Sequence, residues 1–171
     1  MRIPCGQFLP ILLLTGDIAG KDVVEVYYNP PYTNGGIEKS TANLIGYEKT
    51  NELKPGESQT VTISFTAEDM ASYDYLENGC YVLEAGDYEI SINSDSHNVI
   101  DSVTYTVDED IVYDEANPRS TDLTAAVNQF GYADGHLTYL SRKDGFKNYD
   151  ETTAAPATVY DGFADGGSKV N

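Results

Sequence analysis

The second half of the chain holds the densest group of side chains that could do chemistry. Asp134, His136, Arg142 and Asp144 lie within eleven residues of one another. A carboxylate could orient the imidazole, and the guanidinium could hold a carboxylate through paired hydrogen bonds. Glycoside hydrolysis needs two carboxyl groups, one to protonate the leaving oxygen and one to act as base or nucleophile, so the four residues form a candidate catalytic site. The alternative is structural: Asp-Gly steps are turns, and Arg142 fastens this segment to an acidic body.

Two tyrosines beside this group are candidate sugar-binding residues. Tyr132 and Tyr139 present flat rings that could stack on a saccharide. The chain has no Trp, whose larger ring would be expected on such a platform. The tyrosines therefore stay a hypothesis, as do Tyr27, Tyr47 and Tyr73 on the predicted strands.

A run of acids after residue 107 is a candidate metal site. Alternate residues of an extended segment share a side, which brings Asp108 and Asp110 together, and Asp114 could add oxygen. Ca²⁺ prefers several such oxygens, so bound calcium is one reading and a solvated linker is the other. Cys5 and Cys80 have no metal-ligand spacing, and no cofactor is required.

The charge of the chain excludes whole classes of partner. The net charge is −18, and no Lys or Arg occurs between residues 55 and 118. Such a field repels phosphate backbones and anionic lipid surfaces, so we expect neither nucleic-acid nor membrane binding. Two unpaired thiols in a reducing compartment are favoured over a disulfide, which favours a bacterial-type cytoplasmic location over secretion.

Alternating apolar residues predict that strands position these side chains. The best examples are residues 22–29, 58–66, 88–93 and 99–107, and Lys54-Pro55-Gly56-Glu57 is typical of a type II turn. About seven short strands with regular turns indicate an all-β, two-sheet antiparallel sandwich of the immunoglobulin or fibronectin III type. Helical content is predicted to be small: one turn capped by Thr66, and a short helix over residues 121–129.

Composition divides the chain into three parts. Residues 1–108 are predicted to form the sandwich, and residues 109–151 a connector or arm that packs on the sandwich or on a partner. Residues 152–171, rich in Ala, Gly, Thr and Asp, are predicted to be a flexible tail. The apolar run 8–14 is predicted to be a strand, with a short signal peptide as the alternative.

Five short segments carry a family resemblance that covers roughly residues 15–108. In order they are Gly16–Tyr28, Pro30-Pro31-Tyr32, Gly35-Gly36-Ile37-Glu38-Lys39, Leu53–Ser58 and Leu83–Tyr88. Together they resemble the fibronectin type III-like module of glycoside hydrolase family 3, to which many β-glucosidases belong. Residues 128–146 are similar to the connector that follows this module in members with reversed domain order.

The resemblance implies a non-catalytic module whose partners are the catalytic domains of a parent enzyme. No catalytic residue is carried over, because the family's Ser-Asp-Trp-type motif has no counterpart in this sequence. Apolar surface that would face those domains predicts a homo-oligomer for the isolated chain. Two alternatives stay open: a small stand-alone β-glucosidase with its site at a dimer interface, and a carbohydrate-binding module for glucose or gluco-oligosaccharides.

Overall fold

The computed structural model describes residues 4–8, 11–13, 15–129, 131–133 and 138–154. The described part is built almost entirely of short strands: β1 Pro4–Phe8, β2 Ile11–Leu13, β3 Val23–Asn29, β4 Asn43–Lys49, β5 Ser58–Thr60, β6 Ile63–Thr66, β7 Ser72–Asp74, β8 Cys80–Leu83, β9 Gly86–Asp95, β10 Asn98–Val107 and β11 Ile111–Tyr113. Its helical segments are two 3₁₀ turns, Ala67–Met70 and Gly131–Ala133, and one α-helical turn, α1, at Tyr149–Thr153. None of these helices is long and apolar enough to cross a membrane.

The strands form two layers. One layer is a four-stranded sheet in the order β10-β9-β3-β4, and every neighbouring pair in it is antiparallel. The other layer is assembled from the pairs β1-β6 and β2-β5 and from the three-stranded sheet β11-β8-β7. This nearly all-β, antiparallel architecture confirms the predicted fibronectin III-like sandwich.

The core lies between the layers and follows the period-two pattern of the sequence. On β3, Val24, Val26 and Tyr28 are buried, whereas the residues between them are only partly covered. Tyr88 and Ile90 of β9 lie beside them. The opposite layer contributes further large buried side chains, among them Val61, Ile63, Phe65, Met70 and Leu83.

The predicted strand over residues 58–66 is divided into β5 and β6 because its two halves have different partners. β5 pairs with β2 and β6 pairs with β1. The predicted alternation is nevertheless confirmed, since Val61, Ile63 and Phe65 are all buried. β4 approaches β6 so closely that a Cβ on Gly46 would lie 2.7 Å from Cγ2 of Ile63.

Local capping predictions had different outcomes. The amide and hydroxyl of Thr66 both donate to Oδ2 of Asp69 at 2.8 Å, which confirms the capped turn. Gly56 has a φ of 81° and Glu57 N–H donates to Lys54 O at 2.9 Å, as a type II turn requires. The predicted helix over residues 121–129 is wrong: the segment has no helical turn, because Leu123 is fully exposed and the segment has no buried face to stabilise a short helix.

Candidate functional site: an arm clamped to the sandwich

Residues 138–154, here called the arm, are held against the loop of residues 30–40 that joins β3 to β4. The carboxylate of Glu38 is the centre of this contact. Its Oε2 accepts a hydrogen bond from the backbone N–H of Arg142 at 3.0 Å, and its Oε1 accepts one from the hydroxyl of Ser141. Two donors from adjacent arm residues therefore converge on one carboxylate, and the contact joins positions more than one hundred residues apart in the sequence.

The side chain of Arg142 makes a second attachment. Its Nη1 donates to the carbonyl oxygen of Lys39 at 2.7 Å, and its Cζ lies 4.1 Å from the centroid of the Tyr32 ring. A guanidinium at this distance from an aromatic ring gains cation–π attraction. The prediction that Arg142 fastens the arm to the sandwich is confirmed, but a carbonyl and a ring take the place of the expected carboxylate.

Asp144 is bound to the same loop by a reciprocal pair of hydrogen bonds. Its backbone N–H donates to Oδ1 of Asn34 at 2.8 Å, and Nδ2 of Asn34 donates to Oδ1 of Asp144 at 2.9 Å. The pairing holds Asp144 at a φ of 55°, in the left-handed region that is unfavourable for a residue with a Cβ. Asp144 thus contributes to the shape of the arm.

A buried ion pair supports the loop from below. Lys39 is only 7% exposed; its Nζ donates to Pro31 O at 2.8 Å and forms an ion pair with the carboxylate of Glu84, in the turn between β8 and β9. A buried charge is tolerated when it is both paired and hydrogen-bonded. The ion pair therefore connects the arm-binding loop to the sandwich.

The docked arm leaves an apolar surface that we call the apolar arm face: Tyr75, Tyr139, Leu140 and Phe146. These side chains are between 45% and 55% exposed. A cleft of about 420 Å³, lined by Leu140, Phe146, Arg142 and residues 38–41, opens beside them. Burial, together with the charges of Glu38 and Asp74, raises the pKa of Tyr75. The hydroxyl of Tyr32 is buried and has no hydrogen-bond partner in the described part of the chain.

The predicted catalytic group is only partly visible. Asp134 and His136 lie outside the described residues, while Arg142 and Asp144 are committed to the loop contacts given above. Tyr132 is 80% exposed, and Tyr139 is 55% exposed and lies on the apolar arm face. Sugar stacking by either tyrosine stays a prediction.

Two of the three acids proposed for calcium accept backbone hydrogen bonds. Asp110 accepts the backbone N–H of Ala85 at 2.6 Å, whereas Asp114 accepts those of Ala116 and Asn117. Asp108 is exposed. Among the described residues no three His, Cys, Asp or Glu side chains are grouped for a metal ion. Calcium binding stays a prediction.

Cys80 is a buried free thiol, and burial raises its pKa, as do the charges of Asp114 and Asp74. The side chain of Cys5 lies outside the described part of the chain. A thiol held protonated in an apolar site is a weak nucleophile, so Cys80 is a core residue.

Sequence reasoning missed the residues that receive the arm: Tyr32, Asn34 and Glu38. The family resemblance pointed to this region, because Tyr32 and Glu38 lie in segments that carry it and Asn34 lies between those segments. Their role was hidden because their partners follow about a hundred residues later.

Comparison with known proteins shows what the body of the chain resembles. Residues 22–96 match the fibronectin type III-like domain family. β-Glucosidase A of Butyrivibrio fibrisolvens is 38% identical over 108 residues, which is 61% of this chain, and a β-glucosidase of Ruminococcus albus is 35% identical over 130 residues, or 72% of it. The solved structure of β-glucosidase 3B from Thermotoga neapolitana in complex with α-D-glucose has a TM-score of 0.56 and 30% identity over 66% of this chain.

The match covers only a small part of each relative. The chain spans 13% of the length of the two curated β-glucosidases and 16% of the solved chain. The resemblance to the fibronectin type III-like module is confirmed. The findings favour a module over the stand-alone glycosidase and over the carbohydrate-binding module.

Proposed function

We propose that this chain, whose residues 22–96 form a fibronectin type III-like domain, is a non-catalytic β-sandwich module of a β-glucosidase-type glycoside hydrolase. The partners proposed for it are the catalytic domains of the parent enzyme, and the proposed substrate class of that enzyme is the β-glucosides named for its relatives. The observation that carries the proposal is the contact between the arm and loop 30–40, here called the clamp. Arg142 and Asp144, two of the four residues of the candidate catalytic group, hold the arm to the sandwich in this contact.

The clamp supplies a mechanical role. Glu38, Asn34 and Tyr32 fix the course of the chain after the sandwich, because each holds a specific arm residue. The arm in turn presents the apolar arm face. Contiguous apolar surface with a polar rim is typical of protein interfaces, so this face is the proposed contact with the catalytic domains. The module would then set the position of those domains relative to one another.

A chimera tests this role. The matching segment of the Ruminococcus albus β-glucosidase would be replaced by this chain, and hydrolysis of an aryl β-glucoside would be measured. We expect an active chimera, and we expect Leu140→Asp with Phe146→Asp to lower activity and melting temperature, because two charges would be buried in the contact. Tyr47→Asp is the control, since Tyr47 lies on the edge strand β4 and is 67% exposed.

The isolated chain gives the opposing test. We expect no hydrolysis of the aryl β-glucoside by the purified 171-residue chain. Turnover that is abolished by Asp144→Asn or Asp134→Asn, with the fold retained, would refute the non-catalytic role. Equal losses from the Leu140/Phe146 double variant and from Tyr47→Asp would refute the contact surface while leaving the module assignment intact.

Self-association of the isolated chain is part of the same proposal. The apolar arm face would be uncovered when the catalytic domains are absent, and such surface promotes association. We expect a concentration-dependent dimer in analytical ultracentrifugation, weakened by the Leu140/Phe146 double variant. A monomer at every concentration would contradict this expectation.

A further inference from the structure

The outer face of the four-stranded sheet carries a polar groove that takes no part in the clamp. β3 and β9 lie side by side here, and their outward residues form cross-strand pairs: Glu25 with Asn93, and Tyr27 with Ser91. The groove has a volume of about 270 Å³, and its walls include Glu89 and His97. It is distinct from the arm cleft, with which it shares only Thr41 as a lining residue.

Asn93, one of the residues that line this groove, has an unsatisfied acceptor. Asn93 is 4% exposed, and its Oδ1 is buried without a hydrogen-bond partner in the described part of the chain. Buried polar atoms are almost always paired, so an exception calls for a physical explanation. Because Oδ1 has almost no accessible surface, a ligand donor would reach it only when the side chain turns toward the groove, and the new hydrogen bond would then remove the cost of leaving this carbonyl oxygen unpaired.

The surroundings of Asn93 favour a cation as that donor. Glu89 lines the groove, and Glu25 accepts the hydroxyl of Tyr27 at 2.8 Å. The hydrogen bond to Glu25 and the charge of Asp95 raise the pKa of Tyr27, so both carboxylates act at this position. Among the residues that the structure describes, no lysine or arginine lines the groove. An anion would meet a strongly negative field, whereas a cation would be attracted.

We infer that this groove binds a guanidinium group, presented by an arginine side chain of a partner polypeptide. A guanidinium offers five donors and no acceptor, which suits a site whose free groups are the Asn93 carbonyl oxygen and the Glu89 carboxylate. Its flat face also suits the ring of Tyr27, which can add cation–π attraction. The inference does not depend on the proposed function, because the groove is separate from the apolar arm face.

The test is a titration of the isotope-labelled chain followed by amide NMR shifts. Methylguanidinium tests the guanidinium group alone, and N-acetyl-arginine amide represents arginine within a polypeptide. Free arginine represents a metabolite, and its α-carboxylate would meet the acidic groove. We expect shifts confined to β3, β9 and the 95–99 turn, with dissociation constants on the order of millimolar for so small a ligand. Free arginine should bind several-fold more weakly than the amide.

Variants decide whether the groove is responsible. Glu89→Gln removes one charge from an exposed position and should weaken binding of the amide by roughly tenfold. Asn93→Leu removes the unpaired acceptor and should abolish binding while leaving the melting temperature equal or higher, because a buried unpaired group is replaced by an apolar one. Glu48→Gln, an exposed carboxylate outside the groove, is the matched control.

Three results would overturn the inference. The first is an absence of shifts on β3 and β9 with either guanidinium probe. The second is equal binding by the Glu89→Gln, Glu48→Gln and unaltered chains. The third is the same pattern of shifts with glucose or with potassium chloride at matched concentration, which would assign the groove to a polyol or to nonspecific cations.

Discussion

Removal of the Arg142 side chain should release the arm while leaving the sandwich folded. The charged donor to the Lys39 carbonyl contributes about 1.5–3 kcal/mol, and the contact with the Tyr32 ring about 0.5–2 kcal/mol. Because Arg142 is half-buried, we expect Arg142→Ala to destabilise arm docking by about 2–4 kcal/mol. That loss corresponds to a roughly 30- to 1000-fold increase in the population with a detached arm.

Hydrogen exchange measures this opening directly. The backbone N–H groups of Arg142 and Asp144 both donate to side chains of the 30–40 loop, so each loses protection only when the arm detaches. Amides of β3 and β9 should exchange as before, since their ladder lies within the four-stranded sheet. Arg142→Lys keeps the charge without the planar group and should give an intermediate effect.

Arg119 provides a matched control for the loss of an arginine. It also lies against an aromatic ring, with Cζ 3.6 Å from the centroid of Tyr81, and it is paired with Asp122. Arg119→Ala should leave the arm amides unchanged. The reasoning is refuted if Arg142→Ala leaves the two arm amides protected, if it exposes β3 and β9 equally, or if Arg119→Ala has the same effect on the arm.

Three further changes test individual contacts. Asp74 accepts four hydrogen bonds in the 74–78 turn; burial opposes ionisation, but these bonds prevail and lower its pKa. Its contribution to stability is therefore present above its unfolded pKa of about 3.9 and lost as pH falls through the lower folded value. Urea melts should show that Asp74→Asn lowers the free energy of unfolding by about 1–3 kcal/mol at neutral pH. The difference from the unaltered chain should be smaller at about pH 2.5, and a difference independent of pH would contradict this. Gly46→Ala should destabilise the fold by about 1–3 kcal/mol in the same melts, because the added Cβ would overlap Ile63, and an unchanged midpoint would show that β4 can shift. Asp69→Ala should cost about 0.5–2 kcal/mol through loss of the Thr66 cap, and a loss below the error of the melt would show that the cap is dispensable.

The elements of the sandwich could be predicted because their signals are local. Alternation on β3 and β6 identified the buried face, and the Pro-Gly turn at residues 55–56 has the expected backbone geometry. The predicted helix over residues 121–129 is wrong because capping residues alone do not hold a short helix when Leu123 has nothing to pack against. Side-chain caps add little when no tertiary contact stabilises the turn.

The candidate site could be predicted only in part, because its decisive contacts are not local. The sequence suggested that Arg142 attaches the arm, since its guanidinium would be attracted to an acidic body. It could not indicate Glu38 or Asn34 as receivers, because the pairing depends on how the sandwich folds around loop 30–40. The buried acceptor of Asn93 was equally hidden, since a strand asparagine gives no sign in sequence of whether its oxygen is paired.

The pairing of the first strands with β5 and β6 has a consequence for folding kinetics. β9 and β10 are joined by a two-residue turn, so this hairpin can form within microseconds and act as a nucleus. β1 and β2 instead pair with strands dozens of residues away in the sequence. The chain therefore loses the entropy of closing a long loop before the stabilising contacts form. The amino-terminal strands should therefore be the last to dock in refolding and the first to leave under denaturant.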